Sequence, residues 1–264
     1  MHVHRSMGKN QGMSTTNLFD LTGKVALVTG GSRGLGRQMA LAFADHGADV
    51  IIASRKLENC EVVADEVRQR GRKALAVAYH AASWSGAEAL AKAAYDEFGR
   101  VDVLVNNAGM SPLYESLDGI TEELYDKVLD VNLKGPFRLT SIVGTKMAEG
   151  NGGSVIFVSS TASLKASKGE APYGAAKAGV NSLTLSFAQA FAPKVRVNCI
   201  VPGPFLTDIA KAWDMETFNK NAKATIGLQR GGQPEEIVGA ALYLASGASS
   251  FTTGEWLRVD GGVW

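Results

Sequence analysis

"KVALVTGGSRGLGRQMALAFADHG", residues 24–47, runs from an apolar stretch through a cluster of glycines into an amphipathic pattern. Lys24–Gly30 is short, apolar and β-prone, and it ends on glycine. Beyond the turn, Leu35, Met39, Ala42 and Phe43 recur at helical spacing, and Gly47 supplies the stop. The stretch therefore predicts a strand, a tight turn and a helix.

The same alternation continues along the chain. "DVIIAS" (49–54), "KALAVAY" (73–79), "VDVLVN" (101–106), "GSVIFVS" (153–159), "VRVNCIV" (195–201) and "EWLRVDG" (255–261) read as further strands. Helical patterns lie between them at 57–71, 86–99, 121–131, 133–149, from Tyr173 to about Phe191, and 234–246. Nearly all-apolar strands separated by helices of ten or more residues predict a parallel sheet buried on both faces. Right-handed crossovers then give an α/β fold with one doubly wound, mostly parallel sheet, helices on both faces, and ligands at the carboxyl ends of its strands. Residues 21–264 read as one domain, with no linker or repeat. The stretch 205–230 is too mixed for core and reads as a helical lid. Residues 1–20 lack an apolar signal region and read as a disordered extension, with Met13 a plausible start.

Composition narrows the classes of function. The chain has 264 residues and a net charge of +1, so no broad electrostatic case exists for nucleic acid or an anionic membrane. No apolar run reaches the ~18 residues that a membrane-spanning helix needs, and a cytoplasmic location is expected. Cys60 and Cys199 have no metal or redox spacing, and Cys199 reads as a small core residue. His2 and His4 have no nearby carboxylate or cysteine to complete a metal site.

The turn "TGGSRGLG" (29–36) places Gly30, Gly34 and Gly36 between strand and helix. Such a turn lets a phosphate approach the backbone at the positive end of the helix. Gly31 and Gly36 have P-loop spacing, but Arg37 and Gln38 stand where lysine and a hydroxyl would be needed, which disfavours nucleotide hydrolysis. At the end of the second strand, "IIASRKLE" (51–58) offers Ser54 and Arg55 with no carboxylate before Glu58. An acid there would accept hydrogen bonds from an NAD ribose. Arg55, with Arg33 in the turn, instead suits the 2′-phosphate of NADP(H), so NAD(H) is the lesser expectation. In "PYGAAKAG" (172–179), Tyr173 and Lys177 share a helix face one turn apart, among alanine and glycine.

Together with "NNAG" (106–109), "DVNLKG" (130–135), "SS" (159–160), "PGPFLT" (202–207) and "TTGEWLRVDGG" (252–262), these motifs resemble the short-chain dehydrogenase/reductase family in order and spacing. The likeness covers about residues 20–264. It implies a catalytic tetrad. Tyr173 would be the general acid/base and Ser160 would hydrogen-bond the substrate oxygen. Lys177 would bind the nicotinamide ribose and lower the tyrosine pKa, and Asn132 would anchor a water behind it. Gly30, Ser32, Arg33, Leu35 and Gly36 would line the cofactor phosphates. Asn107, Ala108 and Gly109 would contact the nucleosides, and Pro202, Gly203, Phe205 and Thr207 the nicotinamide end. A secondary alcohol or ketone would be the substrate, and the family's habit implies a homotetramer, with "VDGGVW" suited to an interface. The alternative is a dinucleotide-binding regulatory protein that has lost catalysis. The sequence departs from the family at His80, where an Asp usually contacts adenine, and at Ser163, where glycine is common. Ser159 competes with Ser160 but falls one position short. Phe205, Trp213, Met215 and Phe218 suggest a partly apolar substrate pocket.

Overall fold

The structure is a computed structural model and describes residues 17–165, 167–208, 210 and 213–263. Seven strands form one sheet: β1 (Val25–Thr29), β2 (Asp49–Ser54), β3 (Ala74–Ala78), β4 (Val103–Asn106), β5 (Gly153–Val158), β6 (Val195–Pro202) and β7 (Trp256–Val259). Their order is β3-β2-β1-β4-β5-β6-β7, and each neighbouring pair is parallel. The order reverses beside β1, which pairs β2 on one side and β4 on the other. That reversal opens a crevice at the carboxyl ends of β1 and β4.

Helices cover both faces. α1 (Gly34–Asp45), α2 (Leu57–Gln69) and α8 (Val238–Ala245) pack Met39, Phe43, Val63 and Leu244 against Val28, Val50 and Ile200. On the other face lie α3 (Trp84–Phe98), α5 (Gly135–Glu149) and α6 (Ala171–Phe191). They bury Leu90, Leu139, Val143 and Phe187 against Leu27, Leu104 and Phe157. β1, β4 and β5 are mostly apolar and buried almost along their whole length because both of their faces are covered. The two edge strands depart from that expectation. β3 is only half-buried and β7 alternates exposed and half-buried residues.

α4 (Glu122–Leu129) and α5 are joined without a break by a widened π turn at Asp130–Lys134, where the sequence predicts two separate helices. Asn132 sits in that turn. Its Nδ2 donates to the carbonyls of Met110 at 2.8 Å and Val128 at 2.9 Å, and its Oδ1 accepts from Met110 N at 3.2 Å. Tertiary hydrogen bonding of one buried amide thus sets the helix register at this point.

Of the extension expected over residues 1–20, residues 1–16, with His2 and His4, lie outside the described residues. The Leu18 carbonyl accepts from Ala248 N at 3.1 Å, and Leu21 is buried. In the 205–230 stretch, Phe205 bridges Gly232, and α7 (Met215–Thr225) leads to Ile226, which bridges Val263. Trp213 and Phe218 pack ring to ring, with centroids 5.0 Å apart. Both cysteines are buried and unpaired. Trp264, the last residue of the "VDGGVW" ending, lies outside the described residues.

Candidate active site

A cleft of about 850 Å³ opens at the sheet reversal, and most of the residues singled out in the sequence line it. One end is built from the glycine turn. Gly30 has φ 64°, and a Cβ there would fall 2.8 Å from Asn107 Nδ2, so a side chain is excluded on two counts. Asn107 braces the turn by donating from Nδ2 to the carbonyls of Thr29 at 3.0 Å and Gly30 at 3.3 Å. Thr29 Oγ1 in turn accepts from Asn107 N and Ala108 N. Gly36 does not line the cleft. It is buried under the turn, where a Cβ would lie 2.3 Å from the Gly30 carbonyl oxygen. Here its small size allows close packing of turn on helix.

α1 starts in the cleft with an uncapped N-terminus. Arg33 occupies its N-cap without a side-chain cap, and its first turn holds no acid. By contrast, α3 and α4 are capped by Ser83 and Thr121. The free N–H groups of α1 and the partial positive charge there form a cradle for an anion. Ser32, Arg33, Gly34, Leu35, Ser54, Arg55 and His80 wall this end. Ser32 Oγ donates to Ser54 Oγ at 3.0 Å. Arg33 and Arg55 are exposed and make no ion pair among the described residues. Arg37, in contrast, is paired with Glu66. The described carboxylates lining the cleft are Glu170 and Asp208, neither of them from this group. His80 Nδ1 accepts from Ala82 N at 3.3 Å.

The other end gathers Ser160, from the loop after β5, with Tyr173 and Lys177, one turn apart on α6. Ser160 follows β5, where its Oγ caps a 3-10 turn by accepting from Ala162 N at 3.1 Å. It also hydrogen-bonds the Tyr173 side chain. Ser159 Oγ is turned away and donates to the Lys177 carbonyl at 3.2 Å, which leaves Ser160 as the serine that faces Tyr173. Ser163 Oγ donates to the Ser160 carbonyl and accepts from Asn181 Nδ2, tightening the loop.

Lys177 is 3% exposed. Its Nζ donates to the Val158 carbonyl at 2.8 Å and lies 5.7 Å from the centre of the Tyr173 ring. Burial lowers its pKa to about 8. The Tyr173 phenol is pushed up to about 12, first by burial and further by the charge of Glu170, while the Ser160 hydrogen bond pulls down. Burial dominates at the phenol, and the Lys177 ammonium is directed at the Val158 carbonyl. Gly109 joins this group to Asn132: a Cβ there would meet Asn132 Oδ1 at 2.9 Å and Lys177 Nζ at 3.5 Å. Asn132 itself is fully buried, off the cleft wall, with both amide hydrogens committed to backbone carbonyls.

Pro202, Gly203, Phe205 and Thr207 lead from β6 along the cleft. Thr207 lies against the glycine turn: a Cβ on Gly34 would be 3.5 Å from it. Two residues were missed in the sequence. Glu170 lines the cleft three positions before Tyr173, a spacing that was available to be read. Tyr114 accepts from Ala171 N at 2.8 Å and donates to the Lys168 carbonyl at 2.8 Å, so it caps α6 from the loop after β4. Nothing in the local sequence signals a contact across that distance.

Residues 30–264 match a family model described as enoyl-(acyl carrier protein) reductase. The human dehydrogenase/reductase SDR family member 4 is 35% identical over 245 residues, 92% of this chain and 88% of its own length. The L-rhamnose 1-dehydrogenase (NAD(P)(+)) of Azotobacter vinelandii is 38% identical over 252 residues, 92% of this chain and 98% of its own. Among solved structures, a 7α-hydroxysteroid dehydrogenase complexed with NADH and 7-oxo glycochenodeoxycholic acid superposes with a TM-score of 0.90 at 31% identity. That match covers 95% of this chain and 98% of the other. With a parallel sheet reversing at β1, a glycine cradle at the reversal and relatives matched along nearly their whole length, this chain belongs to the short-chain dehydrogenase/reductase family of oxidoreductases.

Proposed function

We propose that this chain interconverts a secondary alcohol and a ketone with NADP(H). The observation that carries the reading is the convergence of Ser160, Tyr173 and Lys177 at one end of a cleft whose other end is an uncapped helix start flanked by Arg33 and Arg55. The bound dinucleotide supplies or accepts the hydride. Its phosphates fit the cradle at Gly30, Ser32, Leu35 and the α1 start. Arg33 and Arg55, with no carboxylate beside Ser54, suit a 2′-phosphate better than a bare ribose hydroxyl. Asn107, Ala108 and Gly109 hold the floor beneath the nucleosides, and Pro202, Gly203, Phe205 and Thr207 flank the nicotinamide end.

Ser160 and Tyr173 hold the substrate oxygen. Tyr173 gives that oxygen its proton in the reducing direction and removes it in the oxidising one. Positive charge brought close to the phenol favours its phenolate and enables the reverse step. Lys177 provides part of that charge and reaches the cofactor ribose. Asn132 positions the wall by fixing Met110.

The stretch 205–230 acts as a lid over one catalytic domain spanning 21–264. Exposed Trp84, Phe137, Leu185 and Trp256 on α3, α5, α6 and β7 support a homotetramer built through those surfaces. Among the described residues no helix is long and apolar enough to cross a membrane, and we place the enzyme in the cytoplasm.

Fluorescence titration with NADPH and NADH, followed by turnover of a panel of carbonyl compounds, tests the reading. Tight NADPH binding with turnover supports it. Binding without turnover of any member would favour a regulatory protein, and no binding of either coenzyme would overturn it.

A further inference from the structure

Glu170 stands at the N-cap of α6, yet its side chain makes no cap hydrogen bond. An N-cap oxygen normally accepts from the first turn of its helix. Here Tyr114 has taken that duty, since its hydroxyl accepts from Ala171 N and anchors itself on the Lys168 carbonyl. The Glu170 carboxyl is thereby released from its helix. It is half-buried, lines the cleft, and has no hydrogen-bond or ion-pair partner among the described residues. It also lies close enough to Tyr173 to act on the phenol through its charge. A half-desolvated carboxylate without a donor is costly, and a ligand that brings one is favoured.

The surroundings narrow the ligand. Ser111, Asn221 and Thr225 add polar groups to the same cleft, and the packed rings of Trp213 and Phe218 add an aromatic wall. An anionic substrate would meet repulsion from Glu170. A cationic one would meet Lys177 in the same cleft, and beside it the oxidised nicotinamide. A neutral molecule with several hydroxyls meets neither penalty. Its C–H faces can lie on the rings while its hydroxyls donate to the carboxylate.

Resting on the alcohol/ketone reading above, we propose that Glu170 is a specificity-determining residue whose carboxylate accepts a hydrogen bond from a hydroxyl of a neutral polyhydroxylated substrate, a sugar or polyol, near its reacting carbon. The test is steady-state kinetics of the wild type, Glu170→Gln and Glu170→Ala with NADP(H), at saturating coenzyme. The panel holds neutral sugars and polyols, their deoxy analogues, simple aliphatic ketones, keto acids and amino alcohols. The wild type is expected to favour polyhydroxylated members over their deoxy analogues. Glu170→Ala is expected to lower kcat/KM for the polyhydroxylated members roughly 10- to 100-fold, mainly through KM, while any change for simple ketones falls on kcat and its pH profile, where Glu170 acts on the phenol, and leaves their KM within about threefold. Glu170→Gln, which keeps an acceptor without charge, is expected to fall between. NADPH affinity should be the same in all three proteins, which separates this role from a damaged fold. Equal discrimination between hydroxylated and deoxy substrates in wild type and Glu170→Ala overturns the proposal alone. A wild-type preference for amino alcohols that vanishes in Glu170→Gln also overturns it, by assigning the carboxylate to a cation. Absence of wild-type turnover across the panel, with NADPH bound, sinks the catalytic reading and this proposal together.

Discussion

The Lys177 ammonium lies 5.7 Å from the centre of the Tyr173 ring and is held there by the Val158 carbonyl, 2.8 Å away. Helical spacing brings the two residues to one face, but a strand backbone decides where the charge points. Asn132 and Gly109 close the arrangement from below, since a side chain at Gly109 would crowd Asn132 and come into contact with Lys177.

If Tyr173 handles the proton, Tyr173→Phe should lower kcat roughly 100- to 10,000-fold while leaving the NADPH dissociation constant within about threefold. Single-turnover kinetics and a binding titration together check this. Unchanged turnover would remove Tyr173 from the mechanism.

Lys177 should act against stability. Its pKa is about 8 in the folded chain against 10.5 for a free lysine, so below pH 8 the fold carries a buried ammonium at a cost. Between those values the unfolded chain keeps a proton that the folded chain has released, so this cost fades as pH rises through the window. Lys177→Met should therefore raise Tm at pH 7 by roughly 2–6 °C and abolish activity, with the gain shrinking toward pH 10. Thermal unfolding across pH would show it. A drop in Tm at pH 7 would mean that the Val158 hydrogen bond outweighs desolvation.

Coenzyme choice should turn on the end of β2. A carboxylate in place of Ser54 would repel a 2′-phosphate and accept from a ribose hydroxyl. Ser54→Asp is expected to weaken NADPH binding about 100-fold and leave NADH binding unchanged or tighter. Arg55→Ala should weaken NADPH binding by a smaller factor, about tenfold. Fluorescence titration reads both, and equal losses for the two coenzymes would deny a 2′-phosphate site.

Gly36→Ala should destabilise the fold through packing alone. Its new methyl would fall 2.3 Å from the Gly30 carbonyl oxygen, so turn and helix must part. The expected loss is about 1–3 kcal/mol, measured by urea unfolding, with weaker NADPH binding as the turn shifts. An unchanged urea midpoint would show that the turn can yield freely.

Much of this molecule is legible in its sequence, because strands buried on both faces must be apolar and helices must repeat. β1, the glycine turn and α1 follow directly from residues 24–47. β3 and β7 were harder to place as edges. "KALAVAY" is as apolar as an inner strand, and the difference lies in what packs on it. The π turn at Asn132 was read as a gap between two helices, since its cause is a contact with Met110, 22 residues away. Ser160, Tyr173 and Lys177 were found through motif and spacing, and the structure brings them together at one end of the cleft. Their electrostatics were not legible. Tyr173 near 12 reflects burial and Glu170, which only the folded environment supplies. Tyr114 left no local trace, because a cap delivered from 57 residues away has no periodicity.

Both thiols of this chain are sealed in the interior, Cys60 on the buried face of α2 and Cys199 on β6, where burial pushes the Cys199 thiol up to about 12. Thiolate is the reactive form, so an alkylating reagent can modify neither while the fold stays shut. The rate at which such a reagent consumes them is consequently a clock for opening. Cys60 times one layer of the sandwich and Cys199 the sheet's inner strands, without any engineered label.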